Sequence, residues 1–166
     1  MHRARHSVRH PVFGPLLIAC ALASARASAN PYAVAEIPRM IPVRDARRLI
    51  GADIRMTDDL LRVAATADGR KQVAKKTGIR AARVEQLTRY ADLLRLQNIG
   101  PEFVMLLEAV GLKSIPDLAR QSAPPLTKRI ETLNRARHIA NPPPTESQVL
   151  DWITQAGKLP AVLTPG

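Results

Sequence analysis

An all-α fold is predicted for this chain by three observations: apolar positions at helical spacing recur after 58 residues, no segment alternates with period two for long enough to make a strand, and aromatic residues are only 3% of the total. Apolar residues reach 46%, so a core is affordable, and it must be packed from Leu, Ile, Val, Ala and Met. Leu, Ala, Lys and Arg favour helices, whereas strands draw on aromatic and β-branched residues. At 166 residues the chain is one domain, or two very small ones.

The recurrence is read by setting Ile41 to Arg62 over Ile99 to Arg120. Ile41 then falls on Ile99, Ala46 on Val104, Leu49 on Leu107 and Ile54 on Leu112, while Asp59, Leu60 and Arg62 fall on Asp117, Leu118 and Arg120. Further on, a shift of 65 places Val84, Leu87 and Ala91 on Val149, Trp152 and Ala156. The proline stretch Asn141-Pro142-Pro143-Pro144, which the first repeat lacks, lies in the segment across which the shift grows by seven.

In the first repeat, helices are expected over Arg44 to Ile50, from Asp58 to Ala65 with Thr57 as cap, over Asp68 to Lys76, and over Ala81 to Leu96 as the longest. In the second, Pro101 opens a helix at a position where its missing N–H costs nothing, and Phe103, Leu106, Leu107 and Val110 form a buried stripe. Gly111 ends it as a left-handed cap. Ser114 caps a short helix that carries Pro116 in its first turn. A third helix is expected over Leu126 to His138, and a fourth from Thr145, with Gln148 completing a capping box, to about Gln155.

Leu96-Gln97-Asn98-Ile99-Gly100-Pro101 followed by an amphipathic helix resembles a helix-hairpin-helix element. With that turn, the run from Ala109 to Ala119 and the closing segment from Glu146 to Leu159, residues 36–159 resemble the bacterial family called domain of unknown function 4332. The resemblance implies a compact bundle of short helices from two helix-hairpin-helix-like repeats, about 37–95 and 96–157. It transfers no catalytic or binding residue. The chain departs from the DNA-binding form of the motif: Asn98 stands for the first hairpin glycine, Pro42 removes a donor from the first repeat's turn, and Glu102 would repel a phosphate.

The leader reads as a secretory signal over residues 1–29. Arg3, Arg5 and Arg9 precede a short apolar stretch, and Ala27-Ser28-Ala29 is an A-x-A cleavage site. That stretch is too short to span a bilayer, which needs about 20 residues. A competing signal lies within it: Leu17-Ile18-Ala19-Cys20 resembles a lipobox, under which Cys20 would carry a lipid anchor. Either route takes the protein out of the cytoplasm, to the periplasm or beyond. The expected organisation is this leader, a short segment 30–36, the helical domain 37–159 and a tail 160–166. Cys20 is the single cysteine, so no internal disulfide and no cysteine-based zinc site is expected.

The formal charge is +11, and four of the 25 Lys and Arg fall in the leader, which leaves 21 − 14 = +7. Residues 30–100 hold most of the excess. Arg70, Lys71, Lys75, Lys76, Arg80 and Arg83 form the densest basic run, without an intervening acid, around the hairpin-like turn Thr77-Gly78-Ile79. Such a run can neutralise phosphates, and with Asn98 and Gly100 it is the candidate anion or nucleic-acid site. The competing reading is an ordinary solvated face, and no aromatic residue is interleaved to stack bases.

Trp152 is expected to pack in the core or between repeats, and Asp58 and Asp59 to cap a helix. His138 has no second ligand at metal spacing, and neither a nucleophile elbow nor a complete phosphate loop is present. Neither enzyme activity nor a cofactor is expected. The sequence points to an exported protein-interaction or structural module of the cell envelope, its protein partner unspecified. Nucleic-acid binding is the alternative.

Overall fold

Capping and proline chemistry sets where the helices begin. The computed structural model describes residues 31–164, which form eight α-helices and no strand. They are α1 (Val43–Ile50), α2 (Thr57–Ala64), α3 (Ala67–Thr77), α4 (Ala81–Leu93), α5 (Pro101–Ala109), α6 (Ile115–Ala119), α7 (Ala123–Arg137) and α8 (Glu146–Ala156). Thr66 Oγ1 accepts the Gly69 N–H at 3.0 Å ahead of α3, and Ser114 Oγ accepts the Asp117 N–H at 3.1 Å ahead of α6. Thr145 and Gln148 exchange both bonds of a capping box ahead of α8.

Four expectations shift. Thr57 does not cap α2: its hydroxyl is turned inward and accepts the Tyr32 N–H at 3.1 Å, while Asp59 reaches back to the N–H groups of Met56 and Arg55. The fourth helix stops at Leu93, because a tight turn brings both Leu94 and Leu96 into the core. The longest helix is α7, at 15 residues, since Pro124 and Pro125 sit in its first turn, where no N–H is required. The face of α5 is centred on Val104, Leu106 and Leu107, leaving Phe103 and Val110 half-buried.

Helix starts keep the sequence offsets. α1 and α5 begin at 43 and 101, α2 and α6 at 57 and 115, both 58 apart, and α4 and α8 at 81 and 146, 65 apart. The turn after α1 carries Asp53 at φ 64°, and the turn after α5 carries Gly111 at φ 90°. In both, the next residue donates back to a buried leucine, Ile54 to Leu49 and Leu112 to Leu107. The ion pair of Arg62 with Asp59 recurs as Arg120 with Asp117.

One apolar cluster runs through both halves, from Val34 to Ala156. Within the first half α2 packs on α3 and α4; within the second α8 packs on α6 and α7; α4 against α5 joins them. A polar chain spans this joint: Gln86 Nε2 donates to Glu108 at 2.7 Å, and the Tyr90 hydroxyl donates to the same carboxylate.

Both flanking segments take part in the fold. Val34 is fully buried and its N–H donates to Arg55 O at 2.9 Å, so part of the segment expected as a short extension, 30–36, belongs to the core. Residues 160–164, expected as a tail, lie against the first half. The expected leader, with its Cys20 lipidation site, lies outside the described residues.

Candidate functional site

The basic run does not form one cationic face. Arg70 is 7% exposed, and its guanidinium donates to the carbonyls of Ala64, Ala65 and Thr164, the last at 2.8 Å. Arg83 turns inward to Asp45 at 3.2 Å and to Met40 O at 2.8 Å. Both point into the fold because α3 and α4 carry them on faces that meet α2 and the segment before α1. Both guanidiniums are thus engaged within the fold. Lys71 is exposed beside Asp68 at 3.2 Å. Lys76 donates to Ala52 O at 3.0 Å. Lys75 and Arg80 are exposed, and their side chains have no hydrogen bond or ion pair among the described residues.

The fold adds a cation that spacing along the chain did not reveal. Arg48 of α1 donates to Gly78 O at 3.1 Å, in the turn between α3 and α4. With Lys76 bonded to Ala52, the end of α1 is thereby drawn to this turn. Gly78 holds φ 66°, the left-handed cap of α3. The exposed cations nearest this turn along the chain are Lys75, Lys76 and Arg80, and Arg48 joins them through its bond to Gly78. Only tertiary packing brings Arg48 to the other three, so a scan for local charge runs misses it.

Asn98 and Gly100 lie elsewhere. They follow α4, whereas Gly78 precedes it, and 13 residues of helix separate the two turns by about 20 Å. Asn98 does adopt the left-handed backbone, at φ 58°. Gly100, however, is overhung by Glu102: a Cβ placed on it would lie 3.5 Å from the carboxylate. A phosphate approaching that turn would meet a negative charge.

A second feature was not anticipated at all. Residues 160–164 form an extended strap, fixed at one end by Arg95 donating to Pro160 O at 3.2 Å. At the other end Thr164 donates its N–H to Ala65 O at 3.1 Å, while its hydroxyl accepts from Ala67 N and its carbonyl from Arg70. Beneath lies a cleft of about 250 Å³, lined by Arg70, Glu85, Arg89 and Asp92 from the first half, by Ser114 and Pro116 from the second, and by the strap. Burial pushes the Asp92 carboxyl above its ordinary range, against the lowering effect of Arg95 at 2.7 Å. Arg89 pairs with Glu85 at 2.9 Å, yet its buried Nε–H has no acceptor.

The family model described as Domain of unknown function (DUF4332) matches residues 39–159. The chain belongs to this family. No curated protein and no solved structure matches it.

The DUF4332 match ends at Leu159, one residue before the strap, so the strap lies beyond the family model while its anchors Arg70 and Arg95 lie within. Trp152 of this DUF4332 domain is fully buried, its ring 5.1 Å from that of Phe103. That is a packing role. Among the described residues no group of three His, Cys, Asp or Glu could hold a metal ion, and no helix is long and apolar enough to cross a membrane. His138 caps α7 with a left-handed backbone at φ 47°, beside an open concavity that includes Glu131 and Arg135.

Proposed function

We propose that the protein is a non-enzymatic helical module, exported to the cell envelope, that works by binding another protein. The observation that carries this reading is the strap-walled cleft at the junction of the two halves, a concave surface built from both. Export is supported by the leader read from residues 1–29, and a protein role by the placement of Arg70 and Arg83. With these two cations turned inward, the anticipated phosphate surface loses a third of its charges (two of six).

Nucleic-acid binding stands as a second reading because Arg48, Lys75, Lys76 and Arg80 surround the left-handed Gly78 turn. Two measurements separate the readings. Titration of a fluorescent DNA duplex at low and moderate salt is expected to give no saturable binding by the mature chain. Affinity that falls steeply with salt and weakens in Lys75→Glu/Lys76→Glu would favour nucleic acid. Chemical cross-linking in the envelope is expected to join the chain to a protein; failure to do so, together with DNA binding, overturns the first reading. Mass spectrometry of the exported chain distinguishes cleavage after Ala29 from lipidation at Cys20.

A further inference from the structure

The strap is held at both ends, and among the described residues its middle makes no hydrogen bond. Its N-terminal end is held by Arg95 and its C-terminal end by Ala65, Ala67 and the buried Arg70. Among the described residues, no hydrogen bond engages the backbone N–H or C=O of Ala161, Val162 or Leu163. An extended segment with unpaired backbone groups is a template for a second extended chain. Most such segments are mobile and must be ordered on binding. This one is ordered in advance by its two anchors, which removes part of the entropy cost of pairing.

The cleft beside it restricts what kind of occupant fits. About 250 Å³ lies below the range of about 300–1,000 Å³ usual for small-molecule sites, but it holds one or two side chains. Arg89 is matched by Glu85 and Arg95 by Asp92, while the guanidinium of Arg70 is already bonded to three carbonyls, so the lining keeps one positive charge without a carboxylate partner. Apolar contact comes from Pro116, Ala161, Val162 and Leu163. Arg89 contributes a spare donor: its Nε–H has no bond to lose, so a small swing of the guanidinium towards the cleft could meet a peptide carbonyl.

Resting on the protein-binding reading above, we propose that this cleft docks an extended segment of a partner protein. The partner's main chain pairs with Ala161, Val162 and Leu163, and an apolar side chain of the partner enters between α4 and α6. Recognition is through the backbone, with one apolar anchor.

The test uses the full mature chain on an array of random seven-residue peptides blocked at both ends, followed by fluorescence polarisation of the selected peptides. Selection of peptides with an apolar residue at a fixed position is expected, with at least tenfold weaker binding to Val162→Pro, which removes one strap N–H and keeps both anchors. Arg89→Met is expected to weaken the same peptides, and N-methylation of alternate peptide amides to abolish binding. Melting temperatures of the two variants should match the parent, which separates loss of the site from loss of the fold. Absence of selected peptides, or binding that ignores Val162→Pro and N-methylation, overturns the proposal. A dimer of the chain that Val162→Pro dissolves would identify a second copy as the occupant and also overturns it. Envelope cross-links that persist in Val162→Pro would sink the cleft proposal alone and leave the protein-binding reading standing.

Discussion

Replacing Arg70 by Met asks whether this cation belongs to the surface or to the fold. The substitution keeps the aliphatic stem and removes a guanidinium that is 7% exposed and donates to three carbonyls at 2.8–3.3 Å. A hydrogen bond from a charged donor contributes about 1.5–3 kcal/mol. One guanidinium nitrogen serves both Ala64 and Ala65, so these count roughly as one bond and Thr164 as another. Their sum, reduced by the relief of no longer burying a charge, comes to about 3 kcal/mol. With a urea dependence of about 2 kcal/mol per molar, the unfolding midpoint should fall by about 1.5 M. Lys75→Met, at an exposed position, should stay within about 0.5 kcal/mol. Hydrogen exchange adds a local readout, because the Thr164 amide should lose protection in Arg70→Met before the core does. Equal stability of Arg70→Met and Lys75→Met would refute the structural role and return Arg70 to the surface.

Trp152→Ala should cost about 3–5 kcal/mol, enough to unfold much of the chain, since it empties the fully buried site beside Phe103; thermal melting followed by circular dichroism measures it. Gly69→Ala should destabilise α3 although alanine is the better helix former: the added Cβ would lie 2.2 Å from the Val63 carbonyl, so α2 and α3 must separate, and a raised urea midpoint would contradict this. Burial tends to raise the Asp59 carboxyl, but the N–H groups of Met56 and Arg55 and the Arg62 guanidinium outweigh it and hold the group below its ordinary value of 3.8. Its stabilising contribution is therefore present above pH 3.8 and lost as pH falls through the lower folded value, a slope that Asp59→Asn should flatten. Burial, and then the Glu108 carboxylate, push the Tyr90 hydroxyl above its ordinary 10.0, so stability should decline as pH rises beyond 10, and Tyr90→Phe should remove that alkaline decline.

Helical periodicity, capping residues and proline positions are local, and they made the element order legible before any coordinates. The capping of α6 by Ser114 and of α8 by Thr145 follows from side-chain reach over three residues, and Pro101 and Ser114 marked where α5 and α6 begin. Thr57 misled because a hydroxyl at a helix start can face either its own helix or another segment, and here Tyr32 is nearer its reach. The candidate site was legible only in part. Lys75, Lys76 and Arg80 sit on the surface as their spacing implied, whereas nothing in a one-dimensional charge run distinguishes them from Arg70 and Arg83.

The sequence by itself determined that this chain is helical, where most of its helices start, and which residues form the apolar stripes, because those properties depend on neighbours within about a turn. Only the tertiary structure decided which cations are buried, that Arg48 joins the Gly78 turn from 30 positions away, and that residues 160–164 return across the first half to wall a cleft. The physical reason is that burial and hydrogen-bond partnership depend on which faces meet. That choice is made by the joint packing of all eight helices, and no single segment carries it.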